Sequence, residues 1–130
     1  MQGSPPGQTP PPPQQMPQID PRLTSTAFEI YGFRIRYNMG MVRGVTVRSR
    51  SIAGQFGAAL QTLKGGNITL LTELAEQARN EAYQIMVAHT LQLGGNAIIG
   101  IRYDSSEVME NATEVIAYGT AVYGEWQQQT

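Results

Sequence analysis

The sequence predicts an α+β domain in which helices cover one face of a small antiparallel or mixed sheet. Three observations predict it. Residues 33–47 alternate with period two, and residues 69–93 repeat apolar side chains at three- and four-residue steps. Two strand-like runs, NAIIGIRYD (96–104) and EVIAYGTAVYGE (114–125), then close the chain. The order β-α-α-β-β gives a three-stranded sheet with its helices on one side. At 130 residues this is one domain.

All eight prolines fall within the first 21 residues, among glutamines. Residues 1–24 therefore read as a disordered, Pro/Gln-rich leader, too poor in apolar residues to build a core. Pro10 to Pro13 could be read by a proline-recognition domain, although a solvated tail is the commoner outcome for such runs. The folded domain is expected over 25–126, with 127–130 a polar tail. A short strand around Ala27–Tyr31 opens it.

The first long strand, 33–47, sets Phe33, Ile35, Tyr37, Met39, Met41, Val45 and Val47 on one face. Arg34, Arg36, Asn38, Val42, Thr46 and Arg48 fall on the other. Arg43 lands on the apolar face, which a bend or bulge at Gly40 or Gly44 would correct. Ser51 can cap a short helix, Ile52 to Leu63, closed by Gly65-Gly66. A longer helix follows from about Thr69 to Leu93. Its apolar stripe is Leu71, Leu74, Ala75, Ala78, Ala82, Ile85, Met86 and Leu93, and Gly94-Gly95 ends it. A right-handed crossover places the third strand between the first two. The segment between the last two strands, SSEVMENAT, reads as a polar, acidic loop.

In the last strand Val115, Ala117, Ala121 and Tyr123 alternate with Ile116, Tyr118 and Val122, so both faces are apolar. A three-stranded sheet with helices on one side should be wet on the other. The surplus apolar face predicts self-association. Charge points the same way. Residues 30–64 carry six basic side chains and no acid, whereas 65–130 carry two arginines against eight acids. Equal and opposite halves describe a molecule that neutralises itself, while a nucleic-acid binder keeps a net basic surface.

VRGVTVRSRSI (42–52), the Gly65-Gly66 turn, Ala82 with Met86, LGGNAIIGIRYDSS (93–106) and AYGTAV (117–122) resemble the YbjQ-like family. The resemblance spans about Met39 to Tyr123. It implies a dodecin-like β-α-β-β subunit and a ring-shaped homo-oligomer, typically a pentamer, under a heavy-metal-binding label. It also puts Arg48, Ser49 and Arg50 on the family's arginine-serine-arginine motif. Asn96 and Ala97 match its Asn-Ala step, Arg102 and Asp104 its basic-aromatic-acidic step, and Gly119-Thr120 its Gly-Thr step. The chain departs from the family at Asn67, where an acid commonly stands, and at Thr90 and Gly95, where alanine is usual.

Heavy metals want thiolate or imidazole ligands, and this chain has no cysteine and one histidine, His89. Asp104, Glu107 and Glu110 lack the spacing of a hard-cation loop. Met39, Met41 and Met86 fall on apolar faces, where packing is their ordinary use. No metal and no cofactor is expected. No nucleophile–base motif or phosphate loop appears, so no enzyme is expected either. Arg48 and Arg50 share one side of an ideal strand and could gather an anionic ligand in a ring. The competing expectation pairs them with Asp104, Glu107, Glu73 or Glu76 at subunit contacts. Aromatic residues do not interleave the arginines, which argues against nucleic acid. The absence of a secretory signal and of a membrane-length apolar run predicts a soluble, cytoplasmic protein.

Overall fold

The computed structural model describes residues 18–49 and 68–128. It contains β1 (Phe33–Ser49), α1 (Ile68–Gln92), β2 (Ala97–Met109) and β3 (Ala112–Trp126). The sheet order is β1-β3-β2, antiparallel throughout, with the third strand central as the crossover argument requires. The helix expected over 52–63 and its Ser51 cap lie outside the described residues. No described helix is long and apolar enough to cross a membrane.

The face assignment of β1 holds in its first half, where Phe33 is buried and Ile35 and Met39 pack against the core, and is reversed from Met41 on. Val42, Gly44 and Thr46 are buried towards α1, while Met41, Arg43, Val45 and Val47 are exposed on the open side. Register shifts fall between Ile35 and Tyr37 and between Asn38 and Gly40, where Gly40 adopts φ +106°. Both come before Arg43, and beyond the one at Gly40 Arg43 lies exposed on the open side, off the core as expected. The helix chooses the other face because Gly44 admits it. A Cβ on Gly44 would lie 1.9 Å from the Ala82 carbonyl oxygen and 2.6 Å from the Met86 amide nitrogen. Strand and helix backbones thus touch where the sequence had suggested only a bend.

Along α1 the buried ridge is Ala78, Ala82, Met86 and Thr90, at strict four-residue spacing, with Val87 beside it. Leu71, Ile85 and Leu93, expected in the stripe, are 39%, 41% and 39% exposed. The Thr90 hydroxyl donates to the Met86 carbonyl at 3.0 Å, which satisfies it inside the core. Gly94, at φ +86°, ends the helix, and the Gly95 amide returns to the Thr90 carbonyl at 3.0 Å.

Two further expectations are corrected. Ala27–Tyr31 is not a strand. Instead, residues 24–27 run beside the edge of β2, with the Ser25 amide on the Ile98 carbonyl and the Gly100 amide on the Ala27 carbonyl. A register shift between Ile99 and Arg102 on β2, with Gly100 at φ +63°, keeps this pairing short. The acidic stretch 105–113 is not a loop: β2 continues to Met109 and β3 starts at Ala112, around a turn with Asn111 at φ 64°. Residues 102–111 are all exposed, so a strand there carries no apolar pattern for the sequence to show. Ile19 and Leu23, 8% and 9% exposed, join the buried core. Asp20 holds them in place: its carboxylate accepts from the Arg22 amide at 2.9 Å and caps the turn Pro21–Leu23. Arg22 then covers the Trp126 ring at 5.1 Å.

Candidate functional site

On the helix side of the sheet, Arg48 meets Glu81 of α1. One Nη of Arg48 donates to Glu81 Oε2, and the Thr46 hydroxyl donates to Glu81 Oε1 at 2.9 Å. First the Arg48 guanidinium and then the Thr46 hydroxyl hold the Glu81 carboxyl below its ordinary value of 4.5. A carboxylate with a depressed folded pKa stabilises the fold above its unfolded value. That stability is lost as pH falls through the folded value. Glu81 is half exposed, so the tie is worth about 1 kcal/mol at neutral pH. Glu81→Gln is expected to lower the melting temperature by about 3–5 °C at pH 7. Followed by circular dichroism from pH 7 to pH 3, the gap to wild type should narrow; a constant gap would mean that the ion pair adds nothing.

The open side is organised by register, because directly paired residues share a face. Arg43 stands across from Tyr118, which pairs with Arg102, and Val45 across from Ile116, which pairs with Asp104. Val47, Glu114 and Ser106 make the next row, while Met41, Thr120 and Ile99 make the row on the other side. Met41, Val45 and Val47 are 71%, 40% and 50% exposed, so along β1 this face shows apolar side chains to solvent, interrupted by Arg43. The Tyr118 hydroxyl donates to Asp104 at 2.9 Å, and this bond above all raises the phenol's pKa. Arg102 turns to the sheet edge, donating to the Thr26 and Ile101 carbonyls at 2.9 and 2.8 Å and lying over Phe28.

The residues singled out from sequence do not converge on one site. Arg48 lies on the helix side, while Arg102, Asp104 and Thr120 belong to the open side. Ser49 ends β1 opposite Ala112, and Arg50 lies outside the described residues. Asn96 is a connector: its side-chain amide exchanges hydrogen bonds of 2.9 and 3.0 Å with the Gly124 backbone, as a strand peptide would. Within the chain Arg48 pairs with Glu81, an acid outside the four expected for it at subunit contacts. The missing signal was the position of Glu81, one residue before the buried Ala82, which puts a carboxylate at the edge of the helix stripe. A second pair across the two charge halves joins Arg36 to Glu125, with Nε 2.9 Å from Oε1.

The residues fit a heavy-metal centre poorly. Every aspartate, glutamate and histidine of the chain lies within the described residues, and these hold no cluster of three that could grip an ion. His89 Nδ1 faces the Arg43 amide at 3.4 Å, while Glu81, Glu125 and Asp20 are engaged with arginines. Equilibrium dialysis against zinc, copper and cadmium is expected to give no stoichiometric uptake. One tightly held ion per chain would contradict this.

Comparison with known proteins adds the following. A family model, YbjQ_1, with the description "Putative heavy-metal-binding", matches residues 22–125. A UPF0145 protein of Burkholderia thailandensis is 55% identical over 103 residues, which is 79% of this chain and 93% of that protein. A UPF0145 protein of Burkholderia mallei matches to the same extent, 55% over 103 residues. Among solved structures, a protein of unknown function from Pediococcus pentosaceus, placed in the DUF74 family, aligns with a TM-score of 0.52 at 21% identity. That alignment covers 78% of this chain and 96% of the other, and at such identity it speaks to the fold alone.

Proposed function

The chain belongs to the YbjQ family, and from that premise we propose that it works as a non-catalytic, self-assembling subunit of a ring. One observation carries the reading: the exposed apolar side chains Met41, Val45 and Val47 on the side of the sheet away from α1. Burial of such surface drives association, at roughly 25 cal/mol for each Å² removed from water.

The strand edges support a cyclic arrangement. Among the described residues, β1 has a neighbour on one side only, and the far edge of β2 is paired with 24–27 only around Ile98 to Ile101. A heterologous contact joining the remaining edge of β2 to β1 of the next copy removes both open edges. Repeated around an axis, that contact turns the open faces inward and leaves α1 outside. Five copies is the number implied by the family resemblance. Binding of a small ligand inside such a ring is compatible with the same geometry. The test is the solution mass by light scattering, where a ring gives a multiple of the 14.2 kDa chain that holds on dilution.

A further inference from the structure

Between the N-terminal half of α1 and the helix side of the sheet lies a cleft of about 280 Å³. Its floor is apolar, formed by Leu74, Ala78 and Val115, and its rim carries Arg48, Arg79 and Tyr103. The cleft exists because α1 presents alanines here, and their methyl groups do not fill the gap to the strands. Its volume sits just under the range of roughly 300–1,000 Å³ typical of small-molecule clefts.

The rim carries both signs, and Arg79 is its cation most open to a ligand. Arg48 is balanced by Glu81, but Arg79 has only a loose contact with Glu76, 3.7 Å away, with both side chains largely exposed. Asp104 also borders the cleft, yet its carboxylate accepts the Tyr118 hydroxyl on the open face. The Arg79 guanidinium and the Tyr103 phenol, with the hydroxyls of Ser105 and Thr113 beside them, are then the donors around an apolar floor. Burial, first of all, raises the Tyr103 pKa, so the phenol keeps its proton at neutral pH. A guanidinium and a phenol above a hydrocarbon floor match one ligand chemistry: a compact apolar body carrying a single anionic head.

We propose that this cleft binds a small organic anion, an aromatic ring bearing a carboxylate or phosphate, with the ring on the Leu74–Ala78–Val115 floor and the charge at Arg79. The cleft opens on the helix side of the sheet, and its residues Tyr103 to Ser105 stand on the β2 edge that the ring would pair, so binding is read together with the mass of the species that binds. Phenyl phosphate and benzoate are the probes, titrated calorimetrically into the full-length chain; the tighter of the two identifies the preferred head group. Saturable binding at one per chain is expected. Inorganic phosphate and benzyl alcohol, each lacking half of the recognition, should bind at least about tenfold more weakly. Arg79→Ala should weaken the preferred probe about tenfold, the loss of one charge-assisted hydrogen bond. Ala75→Trp, from an exposed position on the wall of the cleft, should abolish binding by filling it. Both substitutions are at exposed positions, so both variants should keep the wild-type circular dichroism. No saturable heat with either anion overturns the assignment. So does unchanged affinity in Ala75→Trp, or inorganic phosphate binding as tightly as phenyl phosphate.

Discussion

Gly44→Ala is expected to cost the domain at least about 3 kcal/mol and to lower its melting temperature by roughly 10 °C or more. The added methyl would stand 1.9 Å from the Ala82 carbonyl oxygen, 2.6 Å from the Met86 amide nitrogen and 2.9 Å from the Ile85 Cβ. Two of these are backbone atoms, with no rotamer to yield, so the helix must lift off the sheet. Lifting it opens the ridge Ala78–Ala82–Met86–Thr90 and the Arg48–Glu81 tie together. Against a total of about 5–15 kcal/mol for a small domain, that loss is large. Gly40→Ala is the comparison. Nothing lies within 4 Å of its Cβ position, and only the left-handed backbone at φ +106° is strained, for about 1–2 kcal/mol. Urea midpoints should rank the two variants in that order at similar slope. Equal midpoints would show that α1 does not rest on Gly44.

The double variant Val45→Lys, Val47→Lys is expected to leave the subunit folded and to dissolve the assembly. Both side chains are exposed on the open face, so in a lone chain the change costs within about 0.5 kcal/mol. In a ring with those faces turned inward, each copy would bury two further ammonium groups on a face that already carries Arg43, a desolvation cost that Glu114 and Asp104 in the same rows offset only in part. Light scattering should therefore fall to the mass of one chain while the circular dichroism spectrum stays that of wild type. An unchanged multimer would move the contact elsewhere on the molecule.

Much of this architecture was legible in the sequence. Helical periodicity and the Gly94-Gly95 stop located α1, and the crossover rule put the third strand in the middle of the sheet. The charge asymmetry between residues 30–64 and 65–130 anticipated ion pairs across the two halves, and Arg36–Glu125 and Arg48–Glu81 are such pairs. What stayed hidden shares a physical cause. Alternation along a strand separates two faces but does not say which one a helix will cover. Here a glycine decided the matter, by allowing backbone contact that no apolar side chain advertises. The strand through 105–109 was invisible because neither of its faces is buried. The Arg48 partner was missed because Glu81 lies beside the apolar stripe, where a charge reads as solvent-facing. The cleft at Arg79 and Tyr103 is a property of small side chains on α1, and alanines show closeness of approach, not the space they leave behind.

The most direct test of the account is native mass spectrometry of the wild-type chain at low micromolar concentration. A single closed multimer is predicted, five chains in number, persisting on dilution. A stable one-chain species of 14.2 kDa, with Met41, Val45 and Val47 exchanging freely with water, would contradict it.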